Sequence, residues 1–331
     1  MIFITIPKNK TMEINTETNN LSETIGLIKK EVSKVIVGQE NMIHLLRVAL
    51  LADGHVLIEG VPGVAKTLTA KLLARCIDVP FSRIQFTPDL MPSDVIGTSV
   101  FNPQMASFSF RKGPIFGQLI LIDEINRSPA KTQAALFEVM EERQISYDGT
   151  TYNMDEPFMV CATQNPIEHE GTYRLPEAQL DRFLIKIVVP YPTAENELGI
   201  LKMANNANAK DLVQTIEKVI TGNQVMQFRQ VVSEIHVEEK VLQYIADIIH
   251  ETRNNTGLFL GASPRASIAI LHCAKASAAL HGRSFVTPDD IIDVLSPVLS
   301  HRIILTPEKE MEGANSADVL NEIVKKIEVP R

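Results

Sequence analysis

Residues 60 to 67 place two glycines, a lysine and a hydroxyl group close together, in the order Gly60-Val61-Pro62-Gly63-Val64-Ala65-Lys66-Thr67. This order approximates the pattern Gly-x-x-x-x-Gly-Lys-Ser/Thr, in which successive backbone N–H groups surround a phosphate. Lys66 supplies positive charge for terminal phosphates, the Thr67 hydroxyl suits a Mg²⁺ ligand, and the following helix adds its dipole. The stretch predicts a nucleotide phosphate site, and we prefer this to the alternative of a plain Gly/Pro turn between a strand and a helix.

Ala65 departs from this pattern, which has glycine at the same position. Alanine is the smallest residue with a Cβ, and a Cβ disfavours the left-handed backbone conformation that glycine adopts freely. We therefore expect the loop to accommodate Ala65 with a negative φ.

A second stretch combines an apolar strand, residues 119–122, with two carboxylates, Asp123 and Glu124, directly after it. Downstream of a phosphate loop, this is the arrangement in which the first carboxylate holds Mg²⁺ and the second polarises the water that attacks the γ-phosphate. The alternative, an acidic start to an ordinary loop, is disfavoured by the phosphate loop upstream.

Three further residues are candidates for the same chemistry. Asn165 follows a strand at 158–163 and could orient the attacking water, although Asn-Pro is also an ordinary turn. Arg182, beside Asp181, could form a surface ion pair or act as an arginine finger on a neighbouring subunit. Arg265 lies in the first turn of a helix, where its charge opposes the helix dipole, which weakly indicates a functional demand.

Short apolar runs alternate with helical patterns through the first part of the chain. This alternation predicts βαβ units and a parallel sheet covered on both faces, an α/β fold. Two hairpins interrupt it, at 99–111 and at 144–152, and the second contains an Asp-Gly turn. The five predicted strands are 56–59, 81–86, 119–122, 158–163 and 184–189.

The composition along the chain predicts three parts. Residues 1–20 are polar after the first few positions and are expected to form a loose N-terminal arm. An amphipathic helix then begins the α/β domain at 21–192, with apolar residues at steps of four and three from Leu21. After residue 192 the pattern is almost wholly helical, apart from an extended pair at 285–286, which predicts an α-helical domain at 193–331.

Length, charge and cysteine usage exclude several classes of protein. The chain has 331 residues, 45% of them hydrophobic, enough for two domains with cores. Its net charge of −8 argues against a broad nucleic-acid surface. Three well-separated cysteines indicate neither a zinc site nor a disulfide framework. Without an apolar run of membrane-spanning length or a secretory signal pattern, a cytoplasmic location is expected.

Taken in order, these stretches resemble the AAA+ ATPases, and within them the MoxR family. The resemblance covers roughly residues 20 to 330. The segments that carry it are similar to a variant P-loop with Ala at the second Gly, a Walker B segment, sensor 1, an arginine-finger segment and sensor 2, at residues 60–67, 123–136, 162–166, 171–183 and 261–266. One departure is Arg174, where the family more usually has Pro.

The resemblance implies a parallel sheet in the order 5-1-4-3-2, an α-helical lid, and ATP with Mg²⁺ at the strand ends between them. It implies hexameric rings, in which Arg182 reaches the nucleotide of the next subunit, so that monomers are poor catalysts. Arg265 is expected to sense the γ-phosphate from the lid, and the two hairpins to face the pore or the client. Val37 and Gly38 are expected near adenine, and the rest of the nucleotide is expected to contact Gly60, Pro62, Gly63, Val64, Ala65, Lys66, Thr67 and Leu68. The expected metal ligands are Thr67 and Asp123. The expected catalytic residues are Glu124, Lys66, Asn165, Arg182 and Arg265.

The family also implies protein partners. Its members are similar to chaperones that assemble or activate protein complexes, including metal-cofactor enzymes, and often act with von Willebrand factor A domain proteins. Two alternatives remain at this point. A nucleic-acid motor is disfavoured because the first hairpin holds one basic residue, Arg111, and the second none. A non-catalytic scaffold is disfavoured by the intact pair Asp123 and Glu124 and by Lys66.

Overall fold

The computed structural model of the chain describes residues 8–104, 106–166, 173, 175–206 and 213–330. Arg174, the departure from the family pattern, lies outside these residues. The helices, numbered along the chain, are α1 (Lys8–Val32), α2 (Glu40–Leu51), α3 (Lys66–Cys76), α4 (Pro92–Ile96), α5 (Ala130–Glu142), α6 (Glu177–Leu180), α7 (Ala194–Asn206), α8 (Gly222–Ser233), α9 (Glu239–Asn254), α10 (Pro264–Leu280), α11 (Pro288–Leu299), α12 (Pro307–Met311) and α13 (Ser316–Lys326). The strands are β1 (Val56–Gly60), β2 (Ile77–Asp78), β3 (Phe81–Gln85), β4 (Gly97–Asn102), β5 (Ser107–Lys112), β6 (Leu119–Asp123), β7 (Gln144–Tyr147), β8 (Thr150–Asn153), β9 (Met159–Gln164), β10 (Ile185–Val189), β11 (Ile220–Thr221), β12 (Leu258–Leu260) and β13 (Ile304–Leu305).

Five of these strands form a parallel sheet in the spatial order β10-β1-β9-β6-β3. Counted along the chain within this sheet, the order is fifth, first, fourth, third, second, as the resemblance implies. All of β6 is buried, as expected of a parallel strand covered on both faces. The alternation of apolar runs with helical patterns thus predicted the α/β sheet and placed each strand end within one residue.

Two hydrophobic cores lie on opposite faces of this sheet. Successive side chains of a strand point to opposite faces, so neighbouring Leu57 and Ile58 of β1 belong to different cores. Leu57 packs with α4 and α5, whereas Ile58 packs with α1, α2 and α3. The core that contains Ile58 continues into the helices that follow residue 193, so the two predicted domains share this core.

The N-terminal segment differs from its prediction. Helix α1 begins at Lys8, so the expectation of a loose arm is wrong for residues 8 to 20. Thr18 is fully buried, three residues before Leu21, on the same stripe as Ile25. Once one helical turn exists, each further residue joins the helix at little cost. The helix that forms at the predicted apolar stripe therefore extends back through the polar residues that precede it. The Ser22 hydroxyl then donates to the carbonyl oxygen of Leu280 at 2.7 Å and ties α1 to α10.

The helices of the C-terminal part pack against α1, α2 and the edge strand β10. The predicted boundary at 190–193 coincides with the connection between β10 and α7. The prediction of an almost wholly helical domain is incomplete, because β11 pairs with β2 and β12 pairs with β13. Strands of two or three residues are too short to show a period in the sequence. Among the described helices, none has the length and apolar content needed to cross a bilayer.

Both predicted hairpins are present. The first pairs Gly97 with Lys112, and the second pairs Gln144 with Asn153. Phe110 of the first hairpin packs against both Tyr147 and Tyr152 of the second, with ring centroids 4.8 Å away in each case. The first hairpin spans residues 97–112, longer than the predicted 99–111, and so holds a second basic residue, Lys112.

Candidate nucleotide-binding site

The phosphate loop connects β1 to α3. Ala65 precedes the first turn of α3 with φ 62° and ψ 22°, in the left-handed region. The expectation of a negative φ at Ala65 is therefore wrong. The loop requires at this position the conformation that glycine adopts most readily, and alanine takes it at a cost of about 1–2 kcal/mol.

Gly60 ends β1 where the backbone of the neighbouring strand leaves no room for a side chain. A Cβ at Gly60 would lie 2.8 Å from the carbonyl oxygen of Val189, its partner in β10. The Gly60 carbonyl accepts a hydrogen bond from the Lys66 ammonium, which also donates to the Gln164 carbonyl at 3.1 Å. Lys66 is thus held across the ends of β1 and β9, at the mouth of the loop.

Asp123 brings the loop and β6 together. Its Oδ1 accepts from the Thr67 hydroxyl at 2.7 Å and from the Thr163 hydroxyl at 3.3 Å. Its Oδ2 accepts from Arg83 Nε at 2.7 Å. Hydroxyl and carboxylate oxygens are the ligands that Mg²⁺ prefers. Thr67 and Asp123 therefore fit a magnesium ion by the chemistry and convergence of their oxygens.

Glu124 follows Asp123 in a left-handed conformation, φ 59° and ψ 50°. Its carboxylate accepts from Gln85 Nε2 at 2.8 Å and lies 3.2 Å from Arg127 Nε. Its backbone N–H donates to the Thr163 hydroxyl at 3.1 Å. These contacts direct the carboxylate of Glu124 into the same cleft as Asp123.

The cleft that results has a volume of about 900 Å³. Asn165, after β9, lines it and is buried. The described lining residues all belong to the α/β domain, and they include Pro62, Gly63, Ala65, Lys66, Thr67, Leu68, Asp123, Glu124 and Asn165.

An apolar pocket of about 230 Å³ adjoins the loop. It is lined by Val37, Val64 and Leu68, with Ile200 and Met203 of α7 opposite, and its composition suits a flat aromatic base. Gly38 is placed differently from its neighbour Val37. A Cβ at Gly38 would lie 2.3 Å from Asn196 Nδ2, so Gly38 is packed under Asn196 and does not line the pocket.

Arg182 lies away from the cleft of its own chain. It follows α6 in a turn, and its Nη2 lies 2.8 Å from Glu141 Oε2 of α5. Its guanidinium also lies 6.0 Å from the centre of the Phe137 ring. The structure therefore places Arg182 on the outer surface of α5.

Arg265 lies beside Arg182. Its Nη2 is 3.7 Å from Glu141 Oε1 and its Nη1 is 4.0 Å from Asp181 Oδ2. The side chain is 70% exposed. The structure does not bring Arg265 to the phosphate loop of the same chain, contrary to the expected sensing of the γ-phosphate from the lid of that chain. We refer to Arg182, Arg265, Glu141 and Asp181 together as the arginine face.

Sequence reasoning missed the groups that hold the carboxylates. Arg83 and Gln85 occupy alternate positions of β3, so both point to one face of the sheet beside β6. Two polar residues with a period of two, at the end of a predicted strand, are a signal that could have identified them. The Thr163 hydroxyl and Glu141 offer no comparable local signal.

A buried histidine lies behind the cleft. His55 Nε2 donates to the Met140 carbonyl at 3.1 Å, and Nδ1 accepts from the Val160 N–H at 3.0 Å. Burial lowers the pKa of His55 to about 4, and the bond to Met140 opposes this only in part. His55 is therefore neutral and joins β1, α5 and β9.

Comparisons with known proteins agree with this architecture. The family described as ATPase family associated with various cellular activities (AAA) matches residues 55–185. The AAA lid domain matches residues 250–323.

Individual relatives cover nearly the whole chain. The uncharacterized protein YeaC of Bacillus subtilis is 43% identical over 311 residues, 94% of this chain and 96% of that protein. Chaperone MoxR1 of Mycobacterium tuberculosis is 41% identical over 310 residues, 91% of this chain and 81% of that protein. A crystal structure of a candidate ATPase from Cytophaga hutchinsonii has a TM-score of 0.88 and 41% identity, and covers 98% of this chain and 99% of that one.

Proposed function

Because the chain belongs to the MoxR family of AAA+ ATPases, we propose that it hydrolyses ATP to ADP and phosphate and thereby remodels, assembles or activates partner protein complexes. The observation that carries this proposal is the convergence of Lys66, Thr67, Asp123, Glu124 and Asn165 on one cleft. They arrive there from the ends of two parallel strands, β6 and β9, and from the start of α3.

Each of these side chains has a role in an in-line attack of water on the γ-phosphate. The backbone N–H groups of the loop and the first turn of α3 bind the phosphates, and Lys66 balances their charge. Thr67 and Asp123 would hold Mg²⁺, which would supply positive charge to balance the phosphate oxygens. Glu124 accepts the proton of the attacking water, and Asn165 orients that water.

The apolar pocket is the proposed site of the adenine. Val37, Val64 and Leu68 form one side, and Ile200 of α7 closes the other. Because α7 begins the part that follows the sheet, nucleotide binding here contacts both parts of the chain. Gly38 supports this pocket through its packing with Asn196 and does not contact the base.

The arginine face is proposed to act on the nucleotide of a neighbouring subunit. Arg182 and Arg265 share Glu141 on the outside of α5, so both project from one surface of the chain. We propose a hexameric ring in which this surface faces the cleft of the next subunit. In this ring Arg265 senses the γ-phosphate bound to the next subunit, and not the one bound to its own chain. Monomers are then poor catalysts because their clefts lack both arginines.

The proposed clients are protein complexes, and a von Willebrand factor A domain protein is the proposed partner. One relative is named a chaperone, which supports this role. The tip of the first hairpin exposes Phe101 and Phe108, with ring centroids 5.2 Å apart, and we propose that it contacts the client. The three cysteines are buried and free, in keeping with the proposed cytoplasmic location.

The test is the Glu124→Gln variant. It keeps the shape of the site and removes the base, so ATP binding should be retained while turnover falls by about 10²-fold or more. The loaded variant should also retain its client in a pull-down with ATP, whereas Lys66→Ala, the matched control, should not.

Two outcomes would favour other functions. Turnover of the natural chain that equals that of Glu124→Gln would favour a nucleotide-dependent scaffold. A salt-sensitive rise in turnover on addition of DNA or RNA would favour a nucleic-acid motor.

A further inference from the structure

Arg302 joins the C-terminal helices to the segment that carries Arg182. It lies between α11 and β13, and its side chain is only 5% exposed. Its Nε donates to Asp181 Oδ1 at 2.7 Å. Its Nη2 donates to the carbonyls of Asp181 at 3.1 Å and Phe183 at 2.8 Å, and its Nη1 to that of Leu184 at 3.0 Å.

These bonds hold the residues directly before and after Arg182 in the sequence. The turn at Arg182 follows α6, a helix of four residues with no buried side chain, so α6 contributes little packing. The carbonyls of the turn need hydrogen-bond partners as it enters the buried strand β10. His301 binds one of the same carbonyls, since its Nε2 donates to the Phe183 carbonyl at 2.9 Å. The conformation of the turn thus depends on two consecutive residues, His301 and Arg302, that lie far along the chain.

A continuous series of charges links Arg302 to both arginines of the face. Asp181 receives Arg302 on Oδ1 and lies within 4.0 Å of Arg265 through Oδ2. Glu141 in turn contacts Arg265 at 3.7 Å and Arg182 at 2.8 Å through its two oxygens. A displacement of Asp181 would therefore move the partners of both arginines.

We propose that Arg302 is a positioning residue for Arg182 and Arg265 and so controls hydrolysis in the neighbouring subunit. The inference rests on the proposed function, because the arginines must act across a subunit boundary. Only arginine satisfies this position, since the five N–H donors of its planar guanidinium reach a carboxylate and several carbonyls at once, whereas the lysine ammonium offers three donors at a single point.

The experiment uses mixed assemblies of the full-length chain. Subunits with Arg302→Lys keep an intact phosphate loop and a displaced arginine face. Subunits with Lys66→Ala have a disabled loop and an intact arginine face. Turnover per intact loop is measured as the proportion of Lys66→Ala subunits rises, alongside the KM for ATP of Arg302→Lys alone.

The expected result has two parts. Arg302→Lys alone loses at least tenfold in kcat and keeps its KM within twofold, because ATP binds to its own loop. On mixing, turnover per intact loop rises several-fold, since Lys66→Ala neighbours supply correctly placed arginines. Damage confined to the fold of the Arg302→Lys subunit would not be repaired by a neighbour.

Two controls separate the possible failures. The Arg229 side chain is likewise only 9% exposed, and it joins α8 to the Leu50 carbonyl at 2.9 Å and to Asp53 at 2.6 Å, away from the arginine face. Arg229→Lys should keep kcat within twofold. Arg182→Ala mixed with Lys66→Ala should show the same repair as Arg302→Lys.

Each outcome decides between the two claims. Repair of Arg182→Ala without repair of Arg302→Lys, or an unchanged kcat for Arg302→Lys, would overturn the positioning role and leave the proposed function intact. No repair of Arg182→Ala would overturn the proposed action across subunits, and the positioning role with it. Should Arg302→Lys fail to fold, Asp181→Asn breaks the same link from the other side, and the same mixing result decides.

Discussion

In the cleft, Lys66, Thr67 and Asp123 are held by strand ends and by the loop of a single sheet, whereas on the arginine face Arg182 and Arg265 are held by Glu141, on the outside of α5. The cleft is concave, and the proposed metal ligand Asp123 is 3% exposed. The arginine face is open, and Arg265 is 70% exposed. Under the proposed function, one chain would contain what is needed to bind a nucleotide, while the arginines that accelerate hydrolysis would be presented to another chain.

The largest effect is expected from a substitution that disrupts the arginine face alone. Arg182→Ala should lower kcat by about 10³-fold, because an arginine finger stabilises the charge of the transition state. Nucleotide affinity should stay within about twofold, since Arg182 does not line the cleft of its own chain. Steady-state ATPase assays and fluorescent nucleotide titrations measure the two quantities. A matched loss of affinity would contradict the separation of the two regions.

The reciprocal change breaks the cleft alone. Lys66→Ala should weaken ATP binding by roughly 100-fold, because hydrogen bonds to charged groups contribute about 1.5–3 kcal/mol each and 1.4 kcal/mol is tenfold in affinity. The variant should still support its neighbours through its intact arginine face. Isothermal titration of ATP checks the affinity, with Lys71→Ala, on the next turn of α3, as a control expected to lose less than tenfold.

Acid should reveal that each region is supported by a buried neutral histidine. The folded-state pKa of His55 is about 4, below its unfolded value of about 6.5, so its contribution to stability is present above pH 6.5 and is lost as pH falls. Between pH 7 and pH 5 the free energy of unfolding should decrease by about 2 kcal/mol through His55. Burial also lowers the pKa of His301, behind the arginine face, and adds to the loss.

Urea unfolding at the two pH values measures this effect. His55→Gln should show a smaller decrease between pH 7 and pH 5 than the natural chain, whatever its stability at pH 7. Replacement of the exposed His250 by Gln should leave the decrease unchanged. Equal pH dependence in all three proteins would show that His55 is not the source.

The smallest effect is expected from substitutions that change the backbone strain of the phosphate loop. Ala65→Gly should raise the free energy of unfolding by roughly 0.5–1 kcal/mol, because glycine relieves the left-handed conformation at φ 62°. Gly63→Ala is the matched opposite: Gly63 has φ 88° and open space where its Cβ would lie, so strain alone should lower stability by about 1 kcal/mol. Denaturant unfolding without nucleotide measures both, and a loss of stability in Ala65→Gly would refute the strain.

Much of the cleft could be predicted because its residues are adjacent in sequence to regular elements. Lys66 and Thr67 begin a helix, and Asp123, Glu124 and Asn165 follow apolar strands. The carboxyl ends of parallel strands meet at one edge of a sheet, so local pattern and strand order together predict the site. The N-terminal helix was missed over residues 8–20 because its composition is polar, although its buried stripe extends to Thr18.

The sequence by itself determined the sheet, its order through the family resemblance, and the residues at the loop and strand ends that line the cleft, because these follow from neighbours along the chain. Only the tertiary structure decided the backbone conformation of Ala65, the hold of Arg83 and Gln85 on the two carboxylates, and the position of Arg265 beside Arg182. It also decided the link from Arg302 to Asp181, which spans 121 residues. The physical reason is that a lone arginine or carboxylate has no periodic signal, and its partner is chosen by how the packed elements bring distant charges within hydrogen-bond distance.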